Sequence, residues 1–198
     1  MKNYTIKTIF IAFLILLTNN IFCIDIVPLE KENLEQIEQV QHILEQDLDA
    51  RYAIFEEKDG GLELAMKYIV SKNLITLVAK DDNGLIVGVI NYHTKLSKIG
   101  SAIEWITSWF TLKKIPRNIH ILIVDQDCRG QKIGTLLMKA ALTDLYNHKI
   151  TSIQLSVNPK NTHAQAFYTK LDFKKNAYSS NQWCTFYINI SDGSFLKN

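Results

Sequence analysis

The sequence lacks the charge imbalance that is typical of proteins that bind nucleic acids. Its 198 residues include 22 lysines and arginines and 20 aspartates and glutamates, which leaves a formal net charge of +2. It also lacks long runs of like charge, internal repeats and low-complexity segments. The composition therefore gives no support for a nucleic-acid partner. The length suits a single domain with a sizeable core.

Cysteine is also scarce, with three residues at positions 23, 128 and 184. No spacing of cysteines or histidines is typical of a zinc site, so no metal is expected. Loss of Cys23 with an N-terminal leader would leave Cys128 and Cys184 as a candidate disulfide pair. Because a disulfide requires a close approach that a sequence does not show, two separate thiols are the simpler interpretation.

The N-terminus carries an uninterrupted apolar run. Lys2 and Lys7 precede Ile9–Leu17, and a positive region followed by such a run is typical of a secretory signal. The run is shorter than a membrane span of about 20 residues, although Ile21–Val27 could extend it into an anchor. We therefore expect residues 1–23 to be a signal peptide or an N-terminal signal anchor. The protein would then be exported or membrane-anchored, or cytoplasmic if the start codon is assigned too early.

Residues 24–198 show the alternating helix and strand patterns of one mixed α/β domain. Helical spacing of apolar residues and short β-rich runs between turn residues distinguish the two kinds of element. Strands are predicted near residues 23–29, 73–80, 84–93, 118–124, 150–157, 173–177 and 183–190, and helices near 30–48, 62–70, 133–147 and 161–171. The order β-α-α-β-β-β-α-β-α-β-β predicts a central mixed sheet of six or seven strands flanked by helices.

A Trp-containing insert, residues 94–118, interrupts this order. Trp105 and Trp109 lie near an apolar helical face, and several lysines flank them. Such a segment could be an interfacial helix on a membrane or a lid over a bound substrate. A helix that packs its apolar face on the domain is the simpler alternative.

The turn Asp125–Gly134 lies between a predicted strand and a predicted helix. The first N–H groups of a helix are unpaired and its dipole is positive at that end, so an anion is stabilised there. Gly130 and Gly134 let the backbone approach a ligand closely, and Arg129 and Lys132 add positive charge. By itself, the pattern is also compatible with an ordinary solvated turn.

A second segment, Val157–Phe173, makes the pattern more specific. It matches Val-x-x-x-Asn-x-x-Ala-x-x-Phe-Tyr-x-Lys-x-Gly-Phe, except that Asp172 replaces the glycine. The earlier turn matches Arg/Gln-x-x-Gly-x-Gly/Ala from Arg129 onward, except that Lys132 replaces the first glycine. With both motifs in this order, the chain resembles the GNAT superfamily of N-acetyltransferases over about residues 24–190.

The resemblance implies an N-acetyltransferase that moves the acetyl group of acetyl-CoA to a primary amine by direct attack in a ternary complex. Acetyl-CoA would lie in a splay between two strands, where the N–H of Val124 could polarise the thioester carbonyl. Tyr168 would protonate the leaving thiolate as the general acid. No metal is implied. The implied cofactor-binding residues are Leu122, Val124, Arg129, Gly130, Gln131, Lys132, Ile133, Gly134, Thr135 and Asn161.

The motifs do not identify the group that removes the proton of the amine. His120 is the first candidate general base because it shares strand parity with Val124. Asp125 and Glu104 are the next candidates, and an ordered water could also serve. Cys128 lies near a helix start, where a thiolate would be stabilised, but no histidine partner for a nucleophilic cysteine is indicated.

Two other functions remain open. A non-catalytic module that binds acyl-CoA or a partner would fit the departures at Lys132 and Asp172, and acyl transfer to an acceptor other than an amine is a further alternative. The acceptor could be a small molecule or a protein, and the oligomeric state is not indicated. The N-terminus or residues 94–118 could contact a membrane. Because acetyl-CoA is chiefly intracellular, an exported enzyme would need a supply in its new compartment.

Overall fold

The computed structural model describes residues 23–46, 61–94, 116–176 and 183–197. Apart from Cys23, the predicted leader lies outside these residues. So does most of the predicted insert, including Trp105, Trp109 and the candidate base Glu104. In the described part of the chain, no helix combines the length and apolar character needed to cross a membrane.

The described elements follow the predicted order and confirm the mixed α/β class. The strands are β1 (Asp25–Pro28), β2 (Ile75–Lys80), β3 (Ile86–Tyr92), β4 (Arg117–Val124), β5 (Ser152–Val157), β6 (Lys174–Lys175) and β7 (Cys184–Asn189). The α-helices are α1 (Leu34–Gln46), α2 (Gly61–Val70), α3 (Ile133–Asn147) and α4 (Thr162–Lys170), with short 3-10 turns at Gln126–Cys128 and Ser194–Lys197.

Local side-chain bonds explain where some of these elements begin and turn. Asn33 caps α1, since its Oδ1 accepts the N–H of Gln36 at 3.2 Å. Asp81 closes the hairpin between β2 and β3, because its carbonyl oxygen accepts the N–H of Gly84 at 2.9 Å. Gly84 has a positive φ of 80°, which glycine adopts without steric cost.

The strands form one sheet in the order β1-β2-β3-β4-β5-β7-β6. β4 and β5 are parallel neighbours, and the other neighbouring pairs are antiparallel. β4 and β5 pair only through Arg117 and Asn118 at the start of β4, although the two strands continue to Val124 and Val157. The two strands therefore separate toward their carboxyl ends and leave an open edge in the middle of the sheet.

Both faces of the sheet are covered by helices. On one face, α3 supplies the buried side chains Ile133, Leu137, Met138, Ala141, Leu142 and Leu145. On the other face, α1 and α2 supply Val40, Ile43, Leu44, Ala65 and Ile69. Ile119 packs with the first group, whereas Ile121 and Ile123 pack with the second. The regular alternation of β4 side chains is therefore broken between residues 119 and 121.

A β-bulge in β4 explains this break. Tyr92 of β3 pairs with Ile119 and Asn91 pairs with Ile121, so His120 is an extra residue of β4. A bulge shifts the side chains on its two sides to opposite faces of the sheet. His120 consequently packs against the α2 face, whereas Val124 packs against the α3 face. The two side chains therefore lie on opposite faces of the sheet, and the prediction that His120 and Val124 share a face is wrong.

Candidate active site

The turn that follows β4 ends at the N-terminus of α3 without a side-chain cap. Lys132 occupies the cap position and makes no capping hydrogen bond with its side chain, and the first turn of α3 contains no acidic residue. The N–H of Leu136 donates to the carbonyl oxygen of Lys132 at 3.0 Å. Helix geometry leaves the preceding N–H groups without intrahelical acceptors. This end of α3 therefore suits an anion such as a phosphate.

Lys132 has a left-handed backbone conformation, with φ 63° and ψ 9°. A residue with a Cβ atom is strained in this region, and glycine is not. The conformation explains why the motif expects a glycine at this position. The turn keeps its left-handed shape, and hence the direction of its main-chain N–H groups, in spite of the missing glycine.

Gly134 lies where β4, α3 and α4 meet. A methyl group added to Gly134 would lie 3.5 Å from the Cζ atom of Phe167 and 3.6 Å from the Cγ2 atom of Val124. Phe167 directly precedes Tyr168 in α4. The structure therefore brings together the two motifs, which are distant in the sequence.

The open edge of β4 presents main-chain groups. The N–H of Asp125 donates to the carbonyl oxygen of Val87 in β3 at 3.0 Å. Because successive residues of a strand direct their N–H groups to opposite edges, the N–H of Val124 points toward the opening between β4 and β5. The Nε atom of Arg129 donates to the carbonyl oxygen of Val124 at 3.1 Å. Arg129 thus ties the turn to the end of β4.

Tyr168 lies in an aromatic part of the core, with 8% of its surface exposed. Its ring contacts those of Phe167, Phe173 and Phe186, with centroid distances of 5.2, 5.7 and 6.0 Å. Burial raises the pKa of the Tyr168 phenol above its ordinary value. The hydroxyl therefore keeps its proton at neutral pH, as a proton donor must. The predicted role as general acid stays a prediction.

His120 contacts two aromatic rings on the α2 side of the sheet. Its ring centroid lies 4.7 Å from that of Tyr68 in α2 and 4.7 Å from that of His93, which directly follows β3. Its Nε2 atom is buried and has no hydrogen-bond partner in the described part of the chain. Burial and the charge of His93 lower the pKa of His120 to about 4. The imidazole is therefore neutral at pH 7, the form that accepts a proton.

The acetyltransferase (GNAT) family profile matches residues 37–173, which is more than half of the chain. The protein belongs to the GNAT family. A relative from Archaeoglobus fulgidus, described as an uncharacterised N-acetyltransferase, is 28% identical over 137 residues, which cover 65% of this chain and 88% of the relative. N-acetyltransferase is therefore the enzyme class of the chain, and GNAT enzymes use acetyl-CoA as their acetyl donor.

Two solved structures share the GNAT fold of this chain. A Pyrococcus horikoshii protein aligns with a TM-score of 0.60 at 26% identity, over 84% of this chain and 98% of that protein. The PaiA N-acetyltransferase of Thermoplasma acidophilum, solved in complex with coenzyme A, aligns with a TM-score of 0.60 at 17% identity, over 84% and 98% of the two chains. At 17% identity, the second likeness concerns the fold alone.

Asn161 caps the helix that carries Tyr168. Its Oδ1 atom accepts the N–H of Ala164 at 2.9 Å. An amide side chain has both an acceptor oxygen and a donor nitrogen, so the cap does not use the Nδ2 group. The predicted bond from Asn161 to the coenzyme A arm stays a prediction.

The other predicted cofactor-binding residues lie in β4 or around the start of α3. Leu122 is partly buried on the α3 side of the sheet, Gly130 and Gln131 are exposed, and Thr135 is half-buried. Ile133 is 2% exposed. It can therefore offer a ligand only its main chain.

Asp125 and Cys128 belong to the turn itself. Asp125 caps the 3-10 turn, since its Oδ1 atom accepts the N–H of Asp127 at 2.9 Å. Burial and the carboxylates of Asp125, Asp127 and Asp81 raise the pKa of Cys128. The expected stabilisation of a Cys128 thiolate is therefore wrong. Cys128 and Cys184 are both free thiols, in agreement with the simpler interpretation.

Tyr68 and His93 are the two neighbours of His120 that the motifs did not indicate. His93 directly follows β3, and β3 pairs with β4 in the structure. The sequence contains both histidines, but their proximity depends on the pairing of β3 with β4. No hydrogen bond or ring contact of the described residues joins this cluster to Tyr168.

Proposed function

We propose that this GNAT enzyme transfers the acetyl group of acetyl-CoA to a primary amine by direct attack in a ternary complex. The observation that best supports the proposal is the opening between β4 and β5, which adjoins the uncapped N-terminus of α3. A main-chain edge can bind an amide-bearing arm, and a helix N-terminus can bind a pyrophosphate. Coenzyme A has both parts.

The residues around the opening fit such a ligand. No atom lies within 4 Å of a methyl group placed on Gly130, so the outer side of the turn is open. The first turn of α3 has no carboxylate that would repel a pyrophosphate. We infer that the main-chain N–H groups from Gln131 to Thr135 hold the pyrophosphate and that the amide of Asn161 bonds to the arm.

Three groups of the chain are assigned to the reaction in this proposal. A bound acetyl thioester supplies a carbonyl carbon that an amine nitrogen can attack. The N–H of Val124 donates to the carbonyl oxygen as negative charge develops there. Tyr168 donates the proton that the leaving sulfur needs. His120 accepts the proton that the amine releases, since its imidazole is neutral at pH 7 and its Nε2 atom has no hydrogen-bond partner among the described residues.

Calorimetric titration with acetyl-CoA tests the binding step. We expect saturable binding with about one site per chain, because the chain has one opening of this kind among its described strands. A Gly134→Trp variant is the matched control, since a large side chain there would meet Phe167 and Val124. Absence of binding by the natural chain would contradict the proposal and favour a partner-binding module.

A turnover screen with acetyl-CoA tests the transfer step. Monoamines, polyamines, aminoglycosides and peptides with free amino groups should be compared, with release of coenzyme A as the signal. We expect turnover with at least one amine class. Release of coenzyme A only in the presence of hydroxyl acceptors would favour O-acyl transfer instead.

A further inference from the structure

Three rings from three elements meet at the bulge of β4. The ring of His120 lies at an interplanar angle of 51° to Tyr68 and 65° to His93, with both centroid distances at 4.7 Å. Two imidazolium ions at such a separation repel each other strongly, and more so when burial lowers the local dielectric constant. A charge on His93 therefore disfavours protonation of His120.

Hydrogen bonds fix the elements that carry these rings. Asn91 is fully buried, and its Nδ2 atom donates to the carbonyl oxygen of Tyr68 at 3.2 Å and to the Oγ1 atom of Thr76 at 2.8 Å. The N–H of His93 donates to the carbonyl oxygen of Asn118 at 3.2 Å, next to the bulge. Moving the backbone of one histidine away from that of the other would break main-chain bonds of the sheet. The fold therefore holds the two backbones next to each other.

The groups that face His120 are few in the described part of the chain. α2 contributes the phenol of Tyr68, and the end of β3 contributes the imidazole of His93. Burial is the larger cause of the lowered pKa of His120, and the charge of His93 is the second cause. Tyr68 packs on the ring of His120, while His93 both packs on it and lowers its pKa through charge.

We propose that His93 is a positioning residue that extends the neutral, proton-accepting form of His120 to lower pH. The inference rests on the proposed function, in which His120 takes the proton of the acceptor amine. His93 acts through His120 and needs no contact with either substrate. It thereby lowers the pH below which His120 becomes protonated and the site loses its base.

NMR titration of histidine side chains, combined with the pH profile of kcat/KM, tests this inference. The His120 signal is assigned by its absence in His120→Gln. The variants His93→Phe and His93→Gln remove the charge of His93. We therefore expect the titration midpoint of His120, and the pH at which kcat/KM falls on the acid side, to rise by about half a pH unit or more. Tyr68→Phe is the matched control. It keeps the ring and should leave both midpoints unchanged.

The two readouts separate the inference from the proposed function. An unchanged His120 midpoint in both His93 variants would overturn the inference, whatever the activity. If the His120 midpoint moves but the acid limb of the kcat/KM profile stays in place, the assignment of His93 to catalysis is overturned. If no amine is acetylated while the His120 midpoint moves, the coupling is supported and the proposed function fails.

Discussion

Lys132 and Asp172 have almost the same left-handed backbone conformation, with φ angles of 63° and 64°. Lys132 is the N-terminal cap residue of α3, and Asp172 follows the C-terminal cap of α4. Both residues occupy positions where the GNAT motifs have glycine. The fold therefore requires the left-handed conformation at both sites, and this chain adopts it with a Cβ atom in place. The two missing glycines do not by themselves indicate a degenerate site.

Replacement of Lys132 tests what its side chain contributes to the phosphate turn. We expect Lys132→Gly to bind coenzyme A as tightly as the natural chain or more tightly, because the main chain supplies the N–H groups and glycine relieves the strain. Lys132→Ala keeps the Cβ atom and removes the ammonium group. Calorimetry with coenzyme A compares the three proteins. A large loss of affinity in both variants would show that the ammonium group is itself a ligand.

Asp172 offers a test of stability alone. The N–H of Asp172 donates to the carbonyl oxygen of Thr169, and the N–H of Phe173 to that of Tyr168, both at 3.1 Å. These bonds form the Schellman motif, which favours glycine at the left-handed residue. We expect Asp172→Gly to raise the free energy of unfolding by about 1 kcal/mol, with Asp172→Ala as the strained control. Urea unfolding measures both, and a less stable glycine variant would show that contacts of the aspartate outweigh the strain.

Tyr168→Phe tests the predicted general acid. We expect kcat to fall by about 10²–10⁴-fold, the usual contribution of a positioned proton donor. Binding of acetyl-CoA should change little, because the ring keeps its contacts with Phe167, Phe173 and Phe186. Tyr187→Phe is the control, since Tyr187 is 42% exposed on β7. Full activity of Tyr168→Phe in a steady-state assay would show that the assigned role is wrong.

The lowered pKa of His120 also predicts a pH dependence of stability. Between pH 6.5, the ordinary value for histidine, and about 4, the value in the fold, the unfolded chain binds more protons at this site than the folded protein. The contribution of His120 to stability is therefore fully present above about pH 6.5 and is lost as the pH falls toward 4. We expect His120→Gln to lose stability less steeply across this range.

Urea unfolding at several pH values within that range measures this difference. His148→Gln is the control, because the His148 side chain is 52% exposed on the surface of α3's C-terminal end. Equal slopes for His120→Gln and the natural chain would contradict the lowered pKa of His120.

Much of the fold could be predicted because its signals are local. Helical and alternating apolar patterns depend on residues a few positions apart, and they determined the order of the elements. The cap at Asn161 and the hairpin turn after Asp81 likewise involve bonds between near neighbours. The two GNAT motifs each lie within one strand-to-helix unit, so the sequence by itself determined the family and the candidate phosphate turn.

The tertiary structure decided the surroundings of the candidate base and of Cys128. The side of the sheet on which His120 lies depends on a bulge, and a bulge depends on the register of β3 against β4. That same register brings His93 to His120. Asp81 likewise acts on Cys128 from a distant hairpin. These properties arise from contacts between residues far apart in the chain, which local periodicity does not specify.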